Sequence, residues 1–118
     1  MKNTSPIGIF DSGVGGITIW NELVKQLPYE NTIYLADNKN APYGSKSSSE
    51  VLSYSIKNTE VLLAKGVKLI VVACNTATTN TISKLRELFP NIRFIGVEPA
   101  IKPAAIASIH KRITGLAT

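Results

Sequence analysis

The feature that most constrains the fold is a regular alternation of short apolar runs with amphipathic segments. Residues 67–73 (VKLIVVA) form a nearly continuous β-branched run, which is typical of a strand covered on both faces of a parallel sheet. Three shorter runs, at residues 6–10, 32–36 and 93–97, predict further strands. Because the connections between strands and helices are short, the sequence predicts an α/β fold, a three-layer parallel sheet with helices on both faces.

The segments between these runs predict helices. Residues 17–27 carry apolar side chains at helical spacing, and Ser47 followed by Glu50 predicts a capping box for a second helix. Gly66 suits the C′ position at the end of that helix. We assign its buried face to Leu52, Ile56, Thr59, Leu62 and Leu63. The remaining predicted elements are a helix over residues 78–89, a weaker helix after Pro99 and a strand at 116–118.

Composition excludes several classes of protein. The 118 residues are 44% hydrophobic, enough for one domain with a core, and no run approaches the ~20 apolar residues of a membrane span. The start of the chain does not resemble a signal peptide, so we expect a cytoplasmic protein without a membrane partner. One cysteine and one histidine exclude an internal disulfide and a multi-ligand zinc site. The net charge of +5 is scattered and not interleaved with aromatic residues, which predicts a solvated surface and no nucleic-acid partner.

Three loops of unusual composition follow the predicted strands. They are residues 11–16 (DSGVGG), 37–45 (DNKNAPYGS) and 74–80 (CNTATTN). In an open parallel sheet, ligands bind outside the carboxyl ends of the strands, near the topological switch point. Because the loops occupy equivalent positions in successive βα units, they predict one site.

Cys74 is the single cysteine and lies where a strand ends and a helix begins. Free backbone N–H groups and the helix dipole stabilise a thiolate there, and bring a thiol pKa of about 8.5 towards neutrality. Cys74 is therefore a candidate base or nucleophile. The alternative is a buried cysteine that fills a small gap. Asn75 and Thr76 add donors for a carboxylate or an enolate-like oxygen, more than an N-cap requires.

The other two loops contribute further candidates. Asp11 and Ser12 end the first strand, where the carboxylate could pair with a substrate ammonium, assist the thiol or simply cap a helix. Tyr43 and Gly44 lie in a loop longer than the usual βα connection. Tyr43 could cover a small ligand beside the unshielded Gly44 amide, or be a surface tyrosine in a turn.

A dinucleotide-binding module is the rival interpretation. Gly13-x-Gly15-x-x-Thr18 is close to the dinucleotide fingerprint, and Asp37 follows the second strand where a ribose-binding acid would lie. Thr18 replaces the third glycine and Asp11 would repel a pyrophosphate. Both features disfavour nucleotide binding.

Four motifs in order, IGIFDSGVGG, APYG, VVACNTAT and IGVEPA, resemble the cofactor-independent aspartate/glutamate racemase family from Ile7 to about Ala105. The resemblance implies racemisation of glutamate by two-base proton transfer, without metal or pyridoxal phosphate, to supply D-glutamate for peptidoglycan. Cys74 would be one of the two acid/base groups, with Asp11 tuning it. Aspartate is the alternative substrate within the family. The implied substrate-contacting residues are Asp11, Ser12, Tyr43, Gly44, Asn75 and Thr76.

The resemblance also predicts that part of the machinery lies elsewhere. Members of the family have two similar lobes with the site between them, and the second cysteine belongs to the second lobe. This sequence holds one cysteine and stops after TGLAT. We expect residues 1–97 to form the N-terminal lobe and 98–118 to begin the second, so that the missing lobe is the natural partner. The isolated piece would be inactive, and its uncovered face would favour self-association, for example as a homodimer.

Overall fold

In a computed structural model of the chain, the residues that can be described are 5–11, 16–37, 46–73 and 80–96. Strands and helices alternate through them, as the sequence predicts. The strands are β1 (Ile7–Asp11), β2 (Thr32–Ala36), β3 (Leu69–Val72) and β4 (Arg93–Gly96). The helices are α1 (Gly16–Gln26), α2 (Ser48–Ala64) and α3 (Asn80–Leu88). The elements expected after Pro99 lie outside the described residues.

The four strands form one parallel sheet in the order β2-β1-β3-β4. Phe10 of β1 is in register with Leu35 on one side and with Val72 on the other. The chain adds β2 to one side of β1 and then crosses to add β3 and β4 to the other side. The topological switch point therefore lies between β1 and β3, where open α/β sheets bind their ligands.

Helices cover both faces of the sheet, which confirms the predicted three-layer architecture. Successive side chains of a strand point to opposite faces, so Ile7 and Ile9 pack towards α1 and Phe10 packs towards α2 and α3. The core beneath α1 is formed by Ile19, Leu23 and Leu27 with Ile7, Ile9, Leu69, Val71, Ala73 and Ile95. No helix in the described ranges has the length and apolar character that crossing a membrane requires.

The capping signals predicted for α2 are confirmed. The Ser47 side chain accepts a hydrogen bond from the Glu50 amide at 3.2 Å, and the Ser47 amide donates to Glu50 Oε1 at 3.1 Å. The pKa of the Glu50 carboxyl is lowered, most strongly by the hydrogen bond from the Ser47 amide and next by the one from the Ser47 hydroxyl. At the other end, Gly66 has a φ of 78°, the left-handed conformation that glycine adopts without a steric penalty.

The face predicted for α2 does contact the core: Thr59 and Leu62 are buried, and Leu52, Ile56 and Leu63 pack against the core at its margin. Leu52, Ile56 and Leu63 are only half-buried. The fully buried line is rotated by about one position and consists of Val51, Ser55, Asn58, Thr59 and Leu62. The prediction includes Thr59 and Leu62 of this line, and a pattern of apolar residues misses Ser55 and Asn58 because both side chains are polar. The Thr59 hydroxyl donates to the Ser55 carbonyl at 2.8 Å, which satisfies it within the helix.

Gly8 allows α2 to pack closely against β1. A Cβ atom at this position would lie 3.0 Å from Val67 Cγ1 and 3.1 Å from Leu62 Cδ1. Contacts of 3.0–3.4 Å are tighter than nine in ten of those that real Cβ atoms make, so the neighbouring groups would have to give by a few tenths of an ångström. A side chain at position 8 would therefore push the helix or the start of β3 away from the sheet.

Strand β3 is shorter than the predicted run of residues 67–73. Ladder pairing covers four residues, Leu69–Val72. The flanking residues make single backbone hydrogen bonds instead, from the Lys68 amide to the Pro6 carbonyl at 2.8 Å and from the Ala73 amide to the Phe10 carbonyl at 3.0 Å. The Lys68 ammonium also forms an ion pair with Glu30, and its side chain is only 5% exposed. This pair fixes the amino edge of the sheet.

Candidate functional site

The carboxyl ends of β2, β1 and β3 meet at one edge of the sheet. The Asp37 amide donates to the Asp11 carbonyl at 3.1 Å, and the Ala73 amide donates to the Phe10 carbonyl at 3.0 Å. Asp11 ends β1, and Ala73 is the residue that immediately precedes Cys74 in the sequence. The three predicted loops therefore leave adjacent strand ends around the switch point.

Asp11 is the predicted site residue that the structure describes. Its side chain is completely buried, and Oδ2 accepts a hydrogen bond of 2.6 Å from the Tyr34 hydroxyl. This distance is typical of a charge-assisted O–H···O⁻ bond, which is stronger than a bond between neutral groups. Because α1 begins at Gly16, Asp11 is not the N-cap of that helix. The capping interpretation of Asp11 is wrong.

Tyr34 contacts Asp11 but was not among the residues predicted from the sequence. Its ring stacks on the Trp20 ring, with centroids 5.8 Å apart and an interplanar angle of 12°. The Trp20 indole N–H in turn donates to the Thr32 hydroxyl at 2.9 Å. Burial, the hydrogen bond to Asp11 and the negative charge of Asp11 raise the pKa of Tyr34. The phenol therefore remains a hydrogen-bond donor further into the alkaline range than an ordinary tyrosine.

The alternation of side chains in β2 explains this contact. Thr32 and Tyr34 lie on the α1 face, and parallel pairing sets Tyr34 beside Ile9, two residues before Asp11 on the same face. A long aromatic side chain at this position reaches along the sheet to the end of β1. The sequence indicates that Tyr34 shares a face with Thr32, but not how β2 is aligned with β1.

Asp37 lies on the opposite face of the sheet from the Asp11 side chain. Its Oδ2 accepts a long hydrogen bond of 3.5 Å from the Asn58 side chain of α2. This is the carboxylate that the dinucleotide interpretation assigns to a ribose. In the structure it is directed towards α2, and the Asp11 carboxylate lies beneath α1.

The other predicted site residues fall outside the described ranges. They are Ser12, Tyr43, Gly44, Cys74, Asn75 and Thr76. Within the described ranges, no group of three or more histidine, cysteine, aspartate or glutamate side chains could hold a metal ion. A cavity of about 650 Å³ occurs at the opposite, amino edge of the sheet, where Lys68, Arg86 and Arg93 are among its lining residues. Asp11, the predicted site residue within the described ranges, does not line it.

Comparisons by sequence and by structure both find glutamate racemases among the proteins that the chain resembles. The chain is 54% identical over all its 118 residues to the glutamate racemase of Clostridium acetobutylicum and covers 46% of that protein. Among solved structures it is similar to glutamate racemase RacE1 of Bacillus anthracis, with 43% identity and a TM-score of 0.75 over 80% of this chain and 35% of the other. It is also similar to the Francisella tularensis glutamate racemase in complex with D-glutamate, with 36% identity and a TM-score of 0.75, over 80% and 36% of the two chains.

The lengths differ, however, and the chain spans about half the length of the curated relatives that it matches. No family model matches the sequence.

Proposed function

Because the chain belongs to the family of the glutamate racemases, we propose that it carries one half of a two-base site that racemises glutamate. One observation carries the proposal. A fully buried carboxylate, Asp11, ends β1 at the switch point. The Ala73 amide donates to the carbonyl of Phe10, the residue before Asp11, and Ala73 directly precedes the single cysteine of the chain. Consecutive Cα atoms are about 3.8 Å apart, so Cys74 follows from the same strand end.

The chemistry explains why a thiol would be useful at this edge. Removing the α-proton of an amino acid is difficult, because negative charge develops beside a carboxylate that is already anionic. Donors fixed in a site shielded from water stabilise that charge, and orientation of the substrate lowers the entropic cost. A thiol whose pKa is near neutrality can both accept and return a proton. Cys74 is the residue proposed for this role.

Inversion of the α-carbon requires a second acid on its opposite face. We assign that group to a second lobe, beyond residues 1–97, with residues 98–118 as the connection and the beginning of that lobe. The Cys/Cys mechanism is therefore completed only with the missing lobe, and the 118 residues alone do not racemise glutamate. A homodimer of such two-lobed chains is part of the same proposal. The product, D-glutamate, would serve peptidoglycan synthesis, and hence cell wall biogenesis and cell shape, in the cytoplasm.

Asp11 has two proposed tasks at the site. A buried carboxylate attracts the ammonium group of an amino acid, and it also influences the protonation of a neighbouring thiol by Coulomb interaction and hydrogen bonding. Ser12, Tyr43, Gly44, Asn75 and Thr76 are proposed to contact the substrate through hydroxyl, amide and backbone donors. The bound D-glutamate of the Francisella tularensis racemase supports glutamate as the substrate class.

The single cysteine makes the proposal testable without catalysis. Alkylation of the chain by iodoacetamide modifies Cys74 alone and can be followed by mass spectrometry. We expect D- or L-glutamate to slow alkylation of the wild-type chain, aspartate to slow it less, and NAD to have no effect. In Asp11→Asn the protection should be weakened. Equal alkylation rates with and without saturating glutamate would contradict the proposal, and thermal stabilisation by NAD would favour the dinucleotide interpretation.

A chimera tests the division into two lobes. In it, this chain replaces the matching 46% of the Clostridium acetobutylicum racemase. We expect the chimera to exchange the α-hydrogen of glutamate for deuterium and to change its optical rotation, and the Cys74→Ser chimera and the 118-residue chain to do neither. Turnover by the 118-residue chain comparable to that of the relative would refute the two-lobe proposal.

A further inference from the structure

The contact between Tyr34 and Asp11 joins the candidate site to the packing beneath α1. The Tyr34 hydroxyl donates to Asp11 Oδ2 at 2.6 Å, across the β1–β2 pair. The two residues are separated by 23 positions in the sequence. The contact therefore depends on the tertiary fold and not on local chain geometry.

Tyr34 is itself held in place from two sides. The Trp20 ring stacks on it in a nearly parallel arrangement, and the Trp20 indole is fixed by its hydrogen bond to Thr32. Aromatic side chains have few rotatable bonds, and such a stack removes most of the remaining freedom. The hydroxyl is consequently presented to Asp11 from a rigid support on α1 and β2.

The hydroxyl group distinguishes this role from ordinary core packing. A phenylalanine would fill the same volume against Trp20, so packing alone does not require the oxygen atom. The oxygen adds a charge-assisted bond to a carboxylate that is withdrawn from solvent. Supports of this kind commonly orient the groups that carry out chemistry at a site.

We propose that Tyr34 is a positioning residue, which fixes the Asp11 carboxylate at the switch point so that it acts on Cys74 and on the substrate in one orientation. This inference rests on the proposed function and adds to it a residue from β2. Tyr34 itself does not touch the substrate. It restricts rotation of the Asp11 carboxyl group and disperses part of its negative charge.

Four variants of the chain test the proposal: Tyr34→Phe, Asp11→Asn, the double variant, and Tyr29→Phe as the matched control. Tyr29 is 98% exposed, so its substitution makes the same chemical change away from the site. The readout is the alkylation rate of Cys74 as a function of pH, which gives the thiol pKa. Besides Tyr34, the ionisable groups on α1, β2 and β3 are Glu22 and Lys25, both on α1, and all variants retain them. Asp37 follows β2 on the opposite face of the sheet and is also retained.

Without the Tyr34 hydroxyl, more of the negative charge of Asp11 acts on the thiol and disfavours the thiolate. We expect Tyr34→Phe to slow alkylation at pH 6, below the thiol pKa, by about threefold, equivalent to a rise of half a unit in the thiol pKa. Asp11→Asn should accelerate alkylation, and adding Tyr34→Phe to it should change nothing further. Tyr29→Phe should match the wild type.

Two results would overturn the proposal. Tyr34→Phe could behave like the wild type, or its effect could persist unchanged in the Asp11→Asn background, which would show that it acts through the fold and not through Asp11. Should Tyr34→Phe fail to fold, absorbance titration of the tyrosines in Asp11→Asn tests whether the Tyr34 hydroxyl contacts Asp11. One tyrosine must then ionise at a lower pH than in the wild type, and an unchanged titration would refute the contact.

Glutamate protection separates this proposal from the proposed function. If glutamate does not protect Cys74 in the wild type, the proposed function fails, whatever the effect of Tyr34→Phe. If glutamate protects the wild type and Tyr34→Phe equally well and the pH profile is unchanged, only the positioning role fails.

Discussion

Gly8→Ala is the substitution whose effect follows most directly from the geometry of the core. The new methyl group would lie 3.0 Å from Val67 Cγ1 and 3.1 Å and 3.3 Å from the two δ-carbons of Leu62. Leu62 is fully buried and Val67 is 7% exposed, so neither side chain can move into solvent. The helix or the strand must shift instead.

Two opposing effects determine how much Gly8→Ala changes the free energy of unfolding. Overpacking of a close-packed core costs about 1–3 kcal/mol, whereas replacing glycine by alanine in an extended segment recovers roughly 0.5–1 kcal/mol of backbone entropy. Taking the middle of both ranges, we expect Gly8→Ala to lower the free energy of unfolding by about 1 kcal/mol. At about 4–8 °C per kcal/mol for a small domain, the melting temperature should fall by several degrees.

Urea unfolding followed by far-ultraviolet circular dichroism measures this change. Val67→Ala alone should also destabilise the chain, because it leaves a cavity. In the Gly8→Ala background, however, Val67→Ala makes room for the new methyl group and should cost less than it does alone. Gly66→Ala is a matched control, since a Cβ there has nothing within 4 Å and its cost of roughly 1 kcal/mol comes from the positive φ alone. Gly8→Ala as stable as the wild type would refute the close packing of α2 on β1.

Three further predictions concern other contacts of the fold. Ser47→Ala should destabilise the chain by about 1 kcal/mol in chemical denaturation, because it removes the hydroxyl that accepts from the Glu50 amide in the α2 cap; Ser49→Ala should have a smaller effect. Glu30→Gln should destabilise the chain by about 1–3 kcal/mol, because it removes the carboxylate from a lysine that is 5% exposed, and Lys68→Met should be less damaging. The raised pKa of Tyr34 predicts that its share of the stability is complete below pH ~10, the pKa of the unfolded chain, and is lost as pH rises towards the folded value. Unfolding of Tyr34→Phe should therefore depend less on pH in this alkaline range than unfolding of the wild type, and equal slopes would contradict the assignment.

The sequence predicts the architecture because each element carries its own local signal. The β-branched run before Cys74, the capping box at Ser47 and the glycine at position 66 are all found where the pattern places them. These signals depend on neighbouring residues and do not require knowledge of the tertiary fold. The order of the strands is less local, but right-handed crossovers with short connections leave few alternatives.

Two features could not be predicted, for physical reasons. The buried line of α2 includes Ser55 and Asn58, and polar residues at a tight interface give no apolar period. The Tyr34–Asp11 bond depends on the register between β1 and β2, which parallel strands set through distant packing. Of the candidate site, the sequence identifies Asp11, and the structure adds the tyrosine that holds it.

The stack between Trp20 and Tyr34 gives the chain a built-in optical probe. Trp20 is the one tryptophan in the sequence. Its ring stacks on Tyr34, whose hydroxyl donates to the Asp11 carboxylate. Indole emission depends on the polarity and the hydrogen bonding around the ring. Events at the carboxyl edge, from the arrival of an amino acid to a change in the charge of Asp11, should therefore register as intrinsic fluorescence, without a dye and without altering a single residue.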